Sequence, residues 1–122
     1  MKICVTALGP HEDSEVDPRF GRCQFFVFFD LHTRKAEGVA NPHIESSGGA
    51  GIQSAQMVAS KGAAVVLTGH VGPNAFKTLS AAGVAIFTGA AGTVKEAVDA
   101  YEAGTLARAE AADRVPKSGL GQ

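Results

Sequence analysis

Apolar positions along the chain change period once. Over the first forty residues they come in blocks of strand length. Residues 3–7 are apolar and β-branched and stop at Gly9-Pro10; residues 25–29 form an unbroken aromatic and β-branched run; residues 35–40 follow the turn at Asp30-Leu-His-Thr33. Blocks of this kind, bounded by turn residues, predict three strands, and the connections predict an antiparallel meander. The uninterrupted run at 25–29 fits a strand covered on both faces. Residues 11–18, with four acids and no apolar period, predict a loop. Residues 41–51, ending in Ser47-Gly-Gly-Ala-Gly51, predict a second.

Beyond residue 51 the period becomes 3.6. Ile52, Ala55 and Ala59 share one face of a helix that Gly62 ends. Residues 63–83 and 84–104 are then two successive units of 21 residues with one order: strand, glycine-bounded turn, helix, glycine. In the first, Val65, Val66 and Leu67 lead through Gly69-His-Val-Gly-Pro73 to a helix aligning Phe76, Leu79 and Ala82; Pro73 suits a first helical turn. In the second, residues 84–87 lead through Gly89-Ala-Ala-Gly92 to a helix with Thr93 as N-cap and Val94, Ala97, Val98 and Tyr101 on its inner face. Tandem βα units call for parallel strands joined by right-handed crossovers. Residues 105–114 read as a further alanine-rich helical turn or two, and the chain as one domain over 1–115 with a flexible tail over 116–122.

Composition narrows the function classes. A chain of 122 residues can bury a core without a metal or disulfide staple. A net charge of −1 gives no broad basic field, so neither nucleic acid nor an acidic membrane is an expected partner. Two cysteines, Cys4 and Cys23, do not make a secreted disulfide scaffold. With no signal peptide and no apolar run near the ~20 residues of a membrane span, the expectation is a soluble, cytoplasmic protein.

The strand directions gather polar chemistry at one edge. If the first strand runs upward, the upper edge collects the loop after it, the start of the second strand, the loop after the third and both glycine turns. That is the edge outside the carboxyl ends of the parallel strands, where open α/β sheets bind ligands. Arg19, Arg22, Cys23, His11, His43 and His70 fall there, and His32 falls at the opposite edge. Three helices also start there after glycine-containing loops, at residues 48–51, 69–72 and 89–92. Helix-start N–H groups carry partial positive charge, and glycine allows close approach to the backbone. The edge therefore suits an anion, and imidazole and thiol suggest an anionic metal centre.

Each feature also has a plainer reading. The glycine turns match neither the dinucleotide nor the Walker spacing. Arg19 or Arg22 can pair with Glu12, Asp13, Glu15 or Asp17 in the same loop. Loop histidines such as His11 and His43 are commonly solvated, which leaves His70, between two glycines at a helix start, as the strongest ligand candidate. Cys4 reads as a small buried hydrophobe; Cys23 reads either as a thiol activated beside Arg22 or as a buried one. No spacing fits a zinc finger or knuckle.

Asp17-x-Arg19-Phe20-Gly21-Arg22, Gly49-Ala-Gly51-Ile52, and Gly69-x-x-Gly72-Pro73-Asn74-Ala75-Phe76 followed by Leu79 and Ala82-Gly83-Val84 resemble the dinitrogenase iron-molybdenum cofactor biosynthesis family over residues 1–104. That family includes the NifX proteins and the C-terminal part of NifB. The resemblance implies a ribonuclease H-like three-layer α/β/α fold, with a mixed five-stranded sheet in the order 3-2-1-4-5 and strand two antiparallel. It implies nitrogen-fixation chemistry: binding or carriage of an iron-sulfur or iron-molybdenum type cluster, or its precursor, as cargo. The first strand becomes the switch point, which brings Arg19, Arg22 and Cys23 towards His70. Similar sequences often carry histidines just before the first helix; here Glu45-Ser-Ser47 intervenes after His43.

The expectation is a non-catalytic carrier, monomeric or weakly dimeric, that exchanges its cluster with donor and acceptor proteins. Arg19, Arg22, Gly49, Gly51, Gly69 and Gly72 would hold the anion, with His70, Cys23, His43 and His11 as candidate ligands. One alternative is a regulatory domain that binds a small anion without metal. Another is a ribonuclease H-like metal-dependent nuclease, disfavoured because Asp17, Asp30 and Asp99 should not converge.

Overall fold

The phenylalanine run forms the middle of an antiparallel half-sheet. In the computed structural model, which describes residues 1–44 and 49–110, β1 (Lys2–Ala7) pairs with β2 (Phe25–Asp30), and β2 pairs with β3 (Lys35–Ala40). Both pairings are antiparallel, as a meander requires. Alternation along β2 sends Phe26 and Phe28 to one face and Val27 and Phe29 to the other, and all four are buried. Two covered faces explain why the run has no polar break.

The second half is parallel. The chain passes through α1 (Ala50–Ser60), β4 (Val65–Leu67), α2 (Pro73–Ala81), β5 (Ala85–Thr88) and α3 (Val94–Glu102). β4 pairs parallel to β1 on one side and to β5 on the other. Beneath α1 and α2, Ala55, Val58, Ala75 and Leu79 meet Cys4, Phe26, Phe28, Val66 and Ile86. Beneath α3, Val94, Ala97 and Val98 meet Ile3, Val5, Val27 and Leu67. The result is a three-layer α/β/α sandwich with β1 where the direction of winding reverses.

Two expectations need correction. The sheet has six strands in the order β3-β2-β1-β4-β5-β6, not five. The sixth, β6 (Ala107–Arg108), pairs antiparallel with β5 where an alanine-rich helical turn was expected; Ala109 N–H donates to Ile86 O at 2.8 Å. Alanine favours helix locally, but β5 presents an unfilled edge whose backbone groups need partners, and that need prevails. The inner face of α1 is also rotated: Ser54, Ala55 and Val58 are buried, while Ile52 and Ala59 are only half-buried. The rest of the expected helical turn at 111–114 and the tail lie outside the described residues. No helix among the described residues is long and apolar enough to cross a membrane.

Candidate anion-binding site

The loop after β1 is sewn across the carboxyl ends of β1 and β4. Asp17 N–H donates to Thr6 O at 2.9 Å, and Thr6 Oγ1 lies 2.6 Å from Asp17 O and 2.8 Å from Thr68 Oγ1. His70 N–H donates to Pro18 O at 2.8 Å, and Phe20 N–H donates to His70 O at 3.3 Å. This approach is closer than a side chain would allow: a Cβ at Gly69 would lie 2.5 Å from Pro18 Cβ. Gly69 thus acts by letting the two loops meet, and it is not among the residues that line the cavity described below.

The arginines are placed by this stitching. The Asp17 carboxylate is buried, with a side chain 1 % exposed, and accepts from Arg19 N–H, Arg19 Nε, Arg19 Nη2 and Gln24 N–H, each at 3.2 Å. The hydrogen bond to Asp17 raises the already high pKa of Arg19 further. Arg19 remains 56 % exposed above its partner. Gly21 follows with φ +93°, the left-handed region, and a Cβ there would lie 3.1 Å from Gly51 Cα. Asn41 Nδ2 ties this loop to the one after β3 by donating to Gly21 O at 3.0 Å and Cys23 O at 2.9 Å. Arg22 Nη1 spans the same gap, donating to Ile44 O at 3.0 Å.

Between these loops and the starts of α1 and α2 lies a cavity of about 440 Å³. Arg19, Arg22 and His70 line it, together with Gly49, Gly51 and Gly72 at the two helix starts. Neither helix has a side-chain N-cap or an acid in its first turn. No Asp or Glu is among the described residues that line it. Gly51 rests on Ala75, with a position for Cβ 3.5 Å from Ala75 Cβ, so the two helix starts sit side by side. Two guanidinium groups, an imidazole and two N-terminal dipoles therefore face one space with no carboxylate among its described lining residues, which favours a negatively charged occupant. Ile52, half-buried on α1, supplies an apolar wall.

The third helix start does not join them. Thr93 caps α3 in a reciprocal box with Glu96, and Val94 and Lys95 N–H donate to Ser14 O and Glu12 O at 2.8 and 2.9 Å. His11 lies elsewhere too, in a second depression of about 510 Å³ with Glu12, Asp13, Arg34 and Lys35. His43 is half-buried, its N–H donating to Asn41 Oδ1 at 2.9 Å, and it does not line the anion-favouring cavity. Of the two readings open for Cys23, the structure takes burial: the residue is 0 % exposed, and desolvation and nearby Asp17 push its thiol up to about 12. Burial also holds Cys4 well above the ordinary thiol range. Neither presents a thiolate near neutral pH. Among the described residues no three His, Cys, Asp or Glu side chains gather into a metal site.

Sequence reasoning had not assigned Asp17, Asn41 or Ile52 to the site. Asp17 carried a signal, since an acid two residues before an arginine can accept from both its backbone and its side chain. Ile52 carried one as the last residue of the motif Gly49-Ala-Gly51-Ile52, whereas Asn41 depends on tertiary placement and carried none.

Fold and cavity together define a small α/β sandwich with an anion-receptive site at its switch point. The chain belongs to the dinitrogenase iron-molybdenum cofactor family, whose model matches residues 1–104. Among solved structures it is similar to the apo form of the orange protein from Desulfovibrio gigas, with 45 % identity, a TM-score of 0.89, and coverage of 93 % of this chain and 96 % of that one. A Thermotoga protein of the DUF35 family, with a provisional NifB designation, matches at 34 % identity and a TM-score of 0.82, covering 94 % and 98 %. A provisional dinitrogenase from Methanocaldococcus jannaschii, at 11 % identity and a TM-score of 0.66 over 91 % and 96 %, speaks to the fold only. No curated protein matches the chain.

Proposed function

We propose that this protein is a non-catalytic carrier for an anionic iron-sulfur or iron-molybdenum type cofactor, or its precursor. The cavity carries this reading: Arg19, Arg22 and two helix starts without side-chain caps surround a space whose described lining residues include no acid. Its volume of about 440 Å³ is within the range of small-ligand sites. His70, on the same wall, is the direct ligand. Family membership supports cluster handling, and the 45 % identical orange protein is described in an apo form. A single exposed protein ligand suits cargo that must be passed on to an acceptor protein, whereas a closed four-ligand site retains its metal.

A second reading, a regulatory domain for a small anion without metal, draws on the absence of any three-ligand cluster among the described residues. The nuclease alternative has less support. Asp17 is buried against Arg19, and Asp30 sits at the β2–β3 turn.

Anaerobic incubation with a preassembled iron-sulfur cluster, then gel filtration with iron and sulfide analysis, separates these readings. Wild type and Cys23→Ala should retain stoichiometric cluster. His70→Ala should lose it during filtration, and Arg19→Gln/Arg22→Gln should bind at least about tenfold more weakly, since each removes a charge-assisted contact. If cluster never co-elutes while inorganic phosphate binds in an arginine-dependent way, the metal-free reading replaces the carrier.

A further inference from the structure

Arg19 is held from below by a charge that solvent does not reach. Burial of a carboxylate is costly unless its oxygens are satisfied, and the four N–H groups around Asp17 meet that condition. Two of the four belong to the guanidinium: Nε meets Oδ1 and Nη2 meets Oδ2 in a side-on fork. A guanidinium has five N–H donors in one plane. The fork engages one edge and leaves the Nη1 edge directed away from Asp17. Arg19 lines the cavity while Asp17 does not, so the free edge belongs to the ligand space and the engaged edge to the protein interior. The carboxylate also offsets one of the cavity's positive charges from just beneath the surface.

We propose that Asp17 is the positioning residue of this cavity. It fixes Arg19 with its free edge towards a bound anion and, by offsetting charge, keeps the anion exchangeable. The inference rests on the anion-carrier reading above. An unpaired arginine, 56 % exposed, would have to be immobilised each time cargo binds. Ordering such a side chain weakens binding about two- to tenfold, and the fork removes that cost in advance. The charge works in the opposite direction and is screened by salt, so ionic strength separates the two effects.

The test is an equilibrium titration, at low and high potassium chloride, with a preassembled iron-sulfur cluster capped by small thiolates. Wild type, Asp17→Asn, Arg19→Gln, Arg19→Lys, Arg22→Gln and the double variant Asp17→Asn/Arg19→Gln are compared. Asp17→Asn should bind about two- to tenfold more weakly at high salt, with a steeper salt dependence because the cavity gains one net positive charge. In the Arg19→Gln background the same substitution should leave affinity unchanged at high salt, where the charge effect is screened and the positioning route is gone. A merely structural Asp17 would weaken binding equally in both backgrounds, and that result overturns the proposal. Arg19→Lys keeps the charge but cannot form the fork, so it should match Asp17→Asn at high salt. If Asp17→Asn shows no cooperative melt, this variant decides the matter, and wild-type affinity for it overturns the proposal. If Arg19→Gln and Arg22→Gln both bind as wild type, the cavity reading itself falls. If they weaken binding while Asp17→Asn matches wild type at both salts, only the positioning role falls.

Discussion

The start of α3 and the starts of α1 and α2 lie at the same edge of the sheet and solve the same problem differently. Every helix begins with backbone donors that have no intrahelical acceptor. At α3 those donors are closed off: Thr93 and Glu96 cap each other, and the 12–14 segment supplies carbonyls to Val94 and Lys95. At α1 and α2 the N-caps are glycines, Gly49 and Gly72, without side-chain caps. The acidic loop is committed to the start of α3, and the arginine loop lies over the starts of α1 and α2. The contrast separates a helix start that is closed from two that are left open, at a cost of only a few tenths of a kcal/mol for each glycine N-cap.

The comparison breaks most sharply if an open start is closed. Gly72 has φ −79° and ψ 172°, an extended backbone that suits an aspartate N-cap. Gly72→Asp should cap α2 and raise or preserve its stability by a few tenths of a kcal/mol. The new carboxylate would meet the anion at close range, where like charges repel by about 1–2 kcal/mol at an effective dielectric between protein and water. Cluster affinity should fall about tenfold or more in a gel-filtration or titration assay while the melting temperature holds. Unchanged affinity in a folded variant would remove α2 from the site.

How much of this contrast was legible depends on the range of the forces involved. Thr93 and Glu96 stand three residues apart, so the cap of α3 could be read from local sequence. The closing of α3 by Glu12 and Ser14 could not, because those carbonyls arrive from a loop 80 residues earlier. The first two strands of the meander followed from their own apolar runs and the third from the turn before it, whereas β6 exists only because β5 offers it an edge. Arg19, Arg22 and His70 were placed at one edge by strand direction alone. The depth of Cys23 was not: its neighbours Arg22 and Gln24 are exposed, and its burial comes from joining the tertiary core cluster that also holds Phe20, Phe26 and Val58.

A smaller effect tests the closed side. Thr93→Ala removes the acceptor for Glu96 N–H, 3.1 Å away, and should lower stability by about 1 kcal/mol in a denaturant melt. Cluster affinity should not move, because Thr93 does not line the cavity. A loss of affinity matching the loss of stability would mean that α3 and the cavity are not independent.

The smallest expected effect concerns donors closed off at the far edge of the sheet, where no ligand is involved. At the β2–β3 turn the Asp30 carboxylate accepts from His32 N–H at 2.8 Å and Thr33 N–H at 3.2 Å, as Thr93 does for α3. Those two bonds, His32 first, lower the pKa of Asp30 from its ordinary value. A carboxylate more acidic in the folded state than in the unfolded chain contributes stability above its unfolded pKa, near 3.9, and loses it as pH falls through the folded value. Wild type should therefore exceed Asp30→Asn slightly in melting temperature at neutral pH, and the gap should close on the acid side. The gap stays small because the group is fully solvated and water screens it. Cluster affinity should be identical in the two proteins, since this turn is at the end of the sheet opposite the cavity. A gap that persists unchanged into acid would show that the turn depends on Asp30 through shape rather than charge.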